Sequence, residues 1–233
     1  MAPPGAARRE GPLNDADPRA RQKDEAARAA AELIEPGMRV GLGTGSTVAH
    51  LLPAIAERRL AGLRCVATSP ATARAAVELG LEVGELDEIG ELDIAIDGAD
   101  QIDPAGWLVK GGGGAHTREK IVAAHAQRFV VIASADKAVA ELAAPVPLEI
   151  LAFAAQSTLR TLAPARLRDA PPSPDGGLIA DYLGELGDLE ELAERLARTP
   201  GVVEHGLFEP ALVSLVLIGS GDGVERRVLE ASG

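Results

Sequence analysis

Residues 38–59, "MRVGLGTGSTVAHLLPAIAERR", decide the fold. "MRVGLG" reads as a short apolar strand, and it runs through a glycine turn into an amphipathic helix. The same strand-to-helix step recurs outward along the chain. "LRCVAT" (63–68) is the next strand; Ser69 stands at an N-cap, with Pro70 at the first helical position of the segment that ends at Gly80. "LDIAIDGAD" (92–100) is a strand ending in an acidic turn, "TREKIVAAHA" (117–126) a helix, and "RFVVIASA" (128–135) a strand. Upstream, helical spacing through "AARAAAELI" predicts a helix over 20–35, stopped by Pro36-Gly37. Alternating strands and helices predict an α/β fold: a Rossmann-like, doubly wound, mostly parallel sheet.

The pattern changes near Ala143. "APVPLEI" is Pro-rich and extended, and "FAAQSTLRTLA" is a helix. "DAPPSPDGG" is a turn-rich loop before the strand "LIADYL", and Asp188 caps the helix "LEELAERLART" ahead of "PGVVEHGLF". Strands separated by two helices predict a second, smaller α+β lobe over 144–212, and "LVSLVLIG" (212–219) then rejoins the main sheet. The expected division is a disordered tail over 1–19, a catalytic domain over 20–143 and 213–233, and the lobe between them.

Composition narrows the function. The 233 residues are 46% hydrophobic but only 2% aromatic, so the core must be Ala, Val, Leu and Ile, which suits a parallel sheet under helices. No apolar run reaches membrane-spanning length, and the N-terminal stretch lacks the apolar segment of a signal peptide, which predicts a cytoplasmic protein. The single Cys65 sits in an apolar strand and reads as a structural thiol. A net charge of −12 argues against nucleic acid as a partner. It also requires any anionic ligand to be captured by local groups. The chain holds 19 Arg but four Lys, and Lys110, Lys120 and Lys137 fall within 28 residues of one another. A compact ammonium is favoured functionally at Lys110 and Lys137, whereas Lys120 reads as part of a solvated helix start.

Three loops carry polar chemistry. "GLGTGST" (41–47) has glycines at G-x-G-x-G spacing and no acidic residue closing the next strand, so it is neither a dinucleotide fingerprint nor a Walker loop. It offers the hydroxyls of Thr44, Ser46 and Thr47 and the backbone of Gly45 to a phosphate or sugar hydroxyl, or else is a ligand-free capped turn. "DIAIDGADQID" places Asp97 and Asp100 at the carboxyl end of a strand around Gly98 and Ala99. The two acids can converge on one spot, and without His or a second acidic cluster they make a weak metal site. "KGGGGAHTREK" sets Lys110 before Gly111, Gly112, Gly113 and Gly114, with Glu119 in the first turn of the helix that follows. There the helix dipole favours an ionised carboxylate, as a general base needs. His50, His116, His125 and His205 are scattered and read as packing or surface residues. This inventory fits proton transfer beside a carbonyl on a phosphorylated polyol.

"GLGTGSTVAHLL", "DGADQID", "KGGGGAHTREKIV" and "SADKAV", in that order and spacing, resemble the ribose-5-phosphate isomerase A family, and the resemblance runs from about residue 20 to the C-terminus. It implies interconversion of ribose 5-phosphate and ribulose 5-phosphate through an enediol, with no cofactor and no metal, in a homo-oligomer (dimer or tetramer). It places the catalytic base on Glu119, the acid pair on Asp97 and Asp100, and the loop lysine on Lys110. The remaining substrate contacts fall on Thr44–Thr47, Gly98, Ala99, Gly111–Gly113 and Lys137. The chain departs from the family pattern at Gln101, at His116, in "SADK" and in "SPDGGLIAD", which bears on substrate preference and rate. A related isomerase or deaminase on another sugar phosphate, and a non-catalytic sugar-phosphate sensor, are the rival readings; intact Glu119 and the acidic charge weigh against the sensor.

Overall fold

The computed structural model describes residues 17–229. In chain order the elements are α1 (Pro18–Ala31), β1 (Arg39–Leu42), α2 (Val48–Glu57), β2 (Arg64–Ala67), α3 (Pro70–Glu78), α4 (Leu86–Ile89), β3 (Ile94–Gly98), β4 (Gln101–Ile102), β5 (Leu108–Val109), α5 (His116–Ala124) and β6 (Phe129–Ser134). There follow β7 (Val146–Ile150), α6 (Ala155–Thr161), β8 (Ala165–Leu167), β9 (Leu178–Tyr182), α7 (Leu189–Ala197), β10 (Val202–His205), β11 (Leu207–Phe208), β12 (Leu215–Gly219) and β13 (Val224–Val228).

The main sheet has the order β13-β12-β6-β3-β1-β2 and is parallel except for the β12–β13 hairpin at its edge. From β1 the chain steps outward to β2, then returns to place β3 on the other side of β1. The crevice between the carboxyl ends of β1 and β3 is therefore the topological switch point, where open α/β sheets bind ligands.

Side chains alternate between the two faces along every central strand. Val40, Leu42, Ile94, Ile96, Val130, Ile132, Leu215 and Leu217 pack under α1, α2 and α3. Ala95, Val131, Ala133, Val216 and Ile218 pack against Val122 and Ala123 of α5 and Ile89 of α4. Both faces are covered, which is why these strands read as unbroken apolar runs.

Residues 146–205 build a separate antiparallel sheet, β10-β7-β9-β8, whose core includes Leu159, Leu192 and Leu196 from α6 and α7. A three-stranded sheet, β11-β5-β4, joins this region to the first. As expected, "LVSLVLIG" returns as β12 beside β6. The edge strand β13 was not anticipated; its Glu225, Arg226 and Arg227 carry no strand periodicity and suit an exposed edge.

The first helix starts earlier than the hydrophobic spacing indicates. Asp17 caps it through the N–H of Arg19, and Pro18 occupies the first turn, so Pro18 and Arg19 join the helix expected from residue 20, which ends at Ala31 instead of 35. Residues 1–16 of the tail expected over 1–19 lie outside the described residues. Among the described residues no helix is long and apolar enough to cross a membrane.

Ser69 caps α3 as expected: its hydroxyl accepts from Thr72 N at 3.1 Å, and Thr72 Oγ1 donates to Gly43 O at 3.0 Å. The cap thus also ties α3 to the first glycine turn. Ser69→Ala should cost about 1 kcal/mol and lower the melting temperature by about 2–4 °C for a chain of this size, measured by calorimetry.

Candidate active site

The loops after β1, β3 and β5 meet over the switch point and enclose a cavity of about 190 Å³. Thr44–Thr47, Gly98–Asp100, Lys110–Gly113, Glu119 and Lys137, all singled out in the sequence, line it. Asp97 does not; it lies just beneath, 3% exposed.

Three charged groups form the floor. Lys110 Nζ donates to Asp97 Oδ2 at 2.9 Å and to the Gly98 carbonyl, and stands 3.1 Å from Glu119 Oε2. Asp97 Oδ1 accepts from Thr44 N at 3.0 Å and Gly98 N at 2.7 Å. All three side chains are 5% exposed or less. One strand end therefore ties together the first loop, the second loop and the lysine. The two aspartates part company: Asp97 faces the lysine, while Asp100 Oδ2 accepts from Gly112 N at 2.7 Å at the cavity wall. The pair expected to converge on one spot engages different partners, because strand alternation sends Asp97 inward and the turn at Gly98-Ala99 carries Asp100 out.

Burial alone would lower the Lys110 ammonium, but the carboxylates of Asp97 and Glu119 hold it above the ordinary lysine value. Glu119 is pushed up to about 7 by burial and by the charge of Asp97, against the pull of Lys110. This corrects the expectation of a carboxylate kept ionised by its helix dipole. One ammonium cannot neutralise two buried carboxylates, and desolvation outweighs the dipole. Glu119 Oε2 is fully buried, with the Lys110 ammonium 3.1 Å away as its polar neighbour at the cavity floor.

Three glycine positions are dictated by close approach. A Cβ on Gly43 would lie 1.9 Å from the Asp97 carboxylate, so only glycine lets β1 pass over this acid. In the glycine run, a Cβ on Gly111 would meet His116 and Pro147, and one on Gly112 would sit 2.9 Å from Asp100. The run is bare partly for the protein's own packing, and it forms a turn closed by Gly114 N donating to Gly111 O at 3.1 Å.

Four cavity residues escaped the sequence reading: Arg19, Lys23, Ser134 and Asp136. Arg19 and Lys23 come from the first turns of α1, whose polar start gave no signal. Lys23 Nζ donates to Ser46 Oγ at 2.9 Å, beside Thr47 at the start of α2. Ser134 Oγ donates to Asp136 Oδ1 at 2.5 Å, so the exchanged Ser and Asp of "SADK" remain partnered. Asp136 also faces Arg19 at 3.7 Å. Lys120, expected on a solvated helix start, is instead buried behind the site, donating to Glu204 Oε1 at 2.7 Å and to the His205 carbonyl at 2.8 Å. Burial lowers its pKa, with Glu204 opposing. His116 and His205 pack nearby, each lowered to about 4 chiefly by burial. Cys65 is a buried thiol raised to about 11 by desolvation, as suits a structural role. Among the described residues no cluster of three or more His, Cys, Asp or Glu could hold a metal ion.

Residues 64–223 match the family model described as ribose 5-phosphate isomerase A (phosphoriboisomerase A). The chain is 45% identical to ribose-5-phosphate isomerase A of Agrobacterium fabrum, covering 90% of this chain and 97% of that one. Among solved structures it is similar to ribose 5-phosphate isomerase A from Methanocaldococcus jannaschii, with a TM-score of 0.83, 34% identity and coverage of 88% and 97%. A D-ribose-5-phosphate isomerase in complex with phospho-erythronic acid superposes with a TM-score of 0.84, at 32% identity over 88% and 97%.

The raised Glu119 sets a stability signature. Folded Glu119, at about 7, holds a proton that the unfolded chain releases near 4.5, so stability falls as pH rises from about 4.5 to about 7. Glu119→Gln removes that buried charge. Its melting temperature should exceed the parent's at pH 8, with the gap closing by pH 5; equal melting at both would show that Glu119 is not raised.

Proposed function

We infer the activity of this chain from one premise: it belongs to the ribose 5-phosphate isomerase A family. The reaction is the aldose–ketose interconversion of D-ribose 5-phosphate and D-ribulose 5-phosphate through an enediol. The observation that carries the assignment of roles is the buried Glu119 carboxylate at the cavity floor, raised to about 7 and 3.1 Å from a lysine held protonated.

In this reading Glu119 takes the proton from C2 of the open-chain aldose. The C–H electrons form the C1–C2 double bond, and the carbonyl oxygen O1 becomes an oxyanion that takes up a proton. The O2 hydroxyl then gives up its proton, C2=O2 forms, and Glu119 returns its proton to C1. A base near 7 is matched to this cycle: it is substantially ionised at neutral pH and is regenerated by donation. Lys110 and the glycine-loop N–H groups stabilise the charge on oxygen, and removing one such donor typically costs about 10²–10³ in rate. Asp97 serves by fixing Lys110, and Asp100, at the wall, serves the sugar hydroxyls and ring opening.

The phosphate is placed at the other end of the cavity. There the N–H groups and hydroxyls of Thr44–Thr47 open α2, and Lys23, Lys137 and Arg19 supply cations. The relative that holds phospho-erythronic acid supports this reading. Its carboxylate is a fair mimic of enediolate charge, and its phosphate end matches the substrate's.

The division into a catalytic domain (20–143 and 213–233) and a small lobe (144–212), a cytoplasmic location, and assembly into a homodimer or tetramer belong to the same proposal. The near-complete exposure of Phe153 (87%) supports assembly, since a lone monomer would leave that ring in water. Light scattering that gives a monomer at micromolar concentration would remove that part.

The purified protein should convert ribose 5-phosphate to ribulose 5-phosphate with a chelator present. Glu119→Gln should lower kcat by about 10³-fold or more, as loss of a general base does; near-normal turnover would displace Glu119 as the base. After allowance for the substrate phosphate, which titrates near about 6, kcat/KM of the parent should rise with pH through an apparent pKa of about 7.

A further inference from the structure

The glycine loop is gripped from the small antiparallel sheet. Arg168, directly after β8, lies between Asp181 of β9 and the backbone of Gly111 and Gly112. Its Nε donates to Asp181 Oδ2 at 3.2 Å and its Nη2 to Oδ1, a bidentate pair. Its Nη1 donates to the carbonyl of Gly111 at 3.0 Å and to that of Gly112 at 3.1 Å.

A trans peptide unit is planar, so its carbonyl and its N–H point in opposite directions. Anchoring the Gly111 carbonyl on Arg168 turns the N–H of Gly112 the other way, where it meets Asp100 Oδ2 at 2.7 Å. Anchoring the Gly112 carbonyl likewise turns the N–H of Gly113 away from Arg168. That N–H has no acceptor among the described residues, and Gly113 lines the cavity.

We propose that Arg168 is a positioning residue for the isomerisation: by holding two successive carbonyls it presents the Gly113 N–H to the oxygen on which charge develops and keeps Asp100 seated on Gly112. The inference rests on the isomerase reading for its catalytic part. The geometry explains why this residue is Arg and not Lys. One planar fork satisfies a carboxylate through two nitrogens and still has a third for the loop, which an ammonium on a flexible stem cannot do.

A control is built into the molecule. Arg118 of α5 forms a bidentate pair with Asp175, at 2.8 and 2.6 Å, joining the site's helix to the same small-lobe region without touching the loop. Arg168→Met should lower kcat by about 10–100-fold, with KM changed by less than about threefold. Arg168→Lys should fall between parent and Met, millimolar guanidinium should restore part of the turnover of Arg168→Ala, and Arg118→Met should stay near the parent.

A readout without substrate separates this proposal from the enzymatic one: amide hydrogen exchange at Gly112. Its protection should drop in Arg168→Met and persist in Arg118→Met, with circular dichroism unchanged in both. Unchanged Gly112 exchange, or equal kcat losses in the Arg168 and Arg118 variants, would overturn the proposal. A parent protein with no isomerase activity would refute the isomerase reading and the catalytic role with it, whereas the exchange result tells independently whether Arg168 sets the loop.

Discussion

One buried ammonium shared by two buried carboxylates governs this molecule. Lys110 bonds Asp97 and lies beside Glu119, yet burial raises both acids against its pull, and both are almost wholly removed from water. A core of Ala, Val, Leu and Ile has no reason to hold three ionisable groups, and breaking such a pair by removing one partner typically costs about 3–5 kcal/mol. The surroundings are shaped to keep them. Gly43 is bare so that the strand clears Asp97, the N–H groups of Thr44 and Gly98 satisfy one Asp97 oxygen, and Phe208 lies 5.4 Å below the ammonium as an aromatic face. The imbalance leaves both carboxylates raised, and Glu119, at about 7 and on the cavity lining, has the poise that a proton-shuttling base requires.

The two sheets contribute differently to that site. The parallel sheet supplies a switch point, and with it the divergence of two loops that no antiparallel hairpin provides. The small antiparallel sheet contributes none of the cavity-lining residues, yet it holds the glycine run on its outer side. Arg168 grips two carbonyls of the run, Gly206 approaches Lys110 so closely that a Cβ would lie 2.2 Å from its carbonyl oxygen, and Lys110 N donates to Gly206 O at 2.8 Å. A loop of four glycines would otherwise have the most conformational freedom in the chain. Here it is held from two sides, by Asp100 on one and Arg168 on the other.

The sequence disclosed what depends on local pattern. Strand–turn–helix periodicity located the parallel strands of the main sheet, Ser69 and Asp188 marked their helices, and the three polar loops were identifiable because each interrupts an apolar run. It did not disclose what depends on distance along the chain. Arg19 and Lys23 lie in the polar first two turns of α1, and they reach the cavity only because α1 packs across β6 and β12 beside α2. Arg168 and Asp181 are 13 residues apart with a turn-rich loop between them, and nothing in that spacing announces a bidentate pair. Glu119 shows the limit most sharply: its place in the first turn was legible, but its ionisation is set by burial and by Asp97, 22 positions earlier in the sequence.

The departures from the family pattern follow the same division between local and distant. Exchanging Asp and Ser in "SADK" leaves a hydroxyl and a carboxylate two residues apart and bonded to each other, so the local turn survives the exchange. What changes is where the negative charge sits: on Asp136, at the cavity lining and facing Arg19. In a chain of net charge −12, the phosphate end proposed for the cavity would rely on Arg19, Lys23 and Lys137 to overcome the global field. An acid at that rim offsets one of these three cations, leaving about the two positive charges that a phosphate dianion needs. The placement of Asp136 is intelligible only once α1 is seen to bring Arg19 against it, at 3.7 Å.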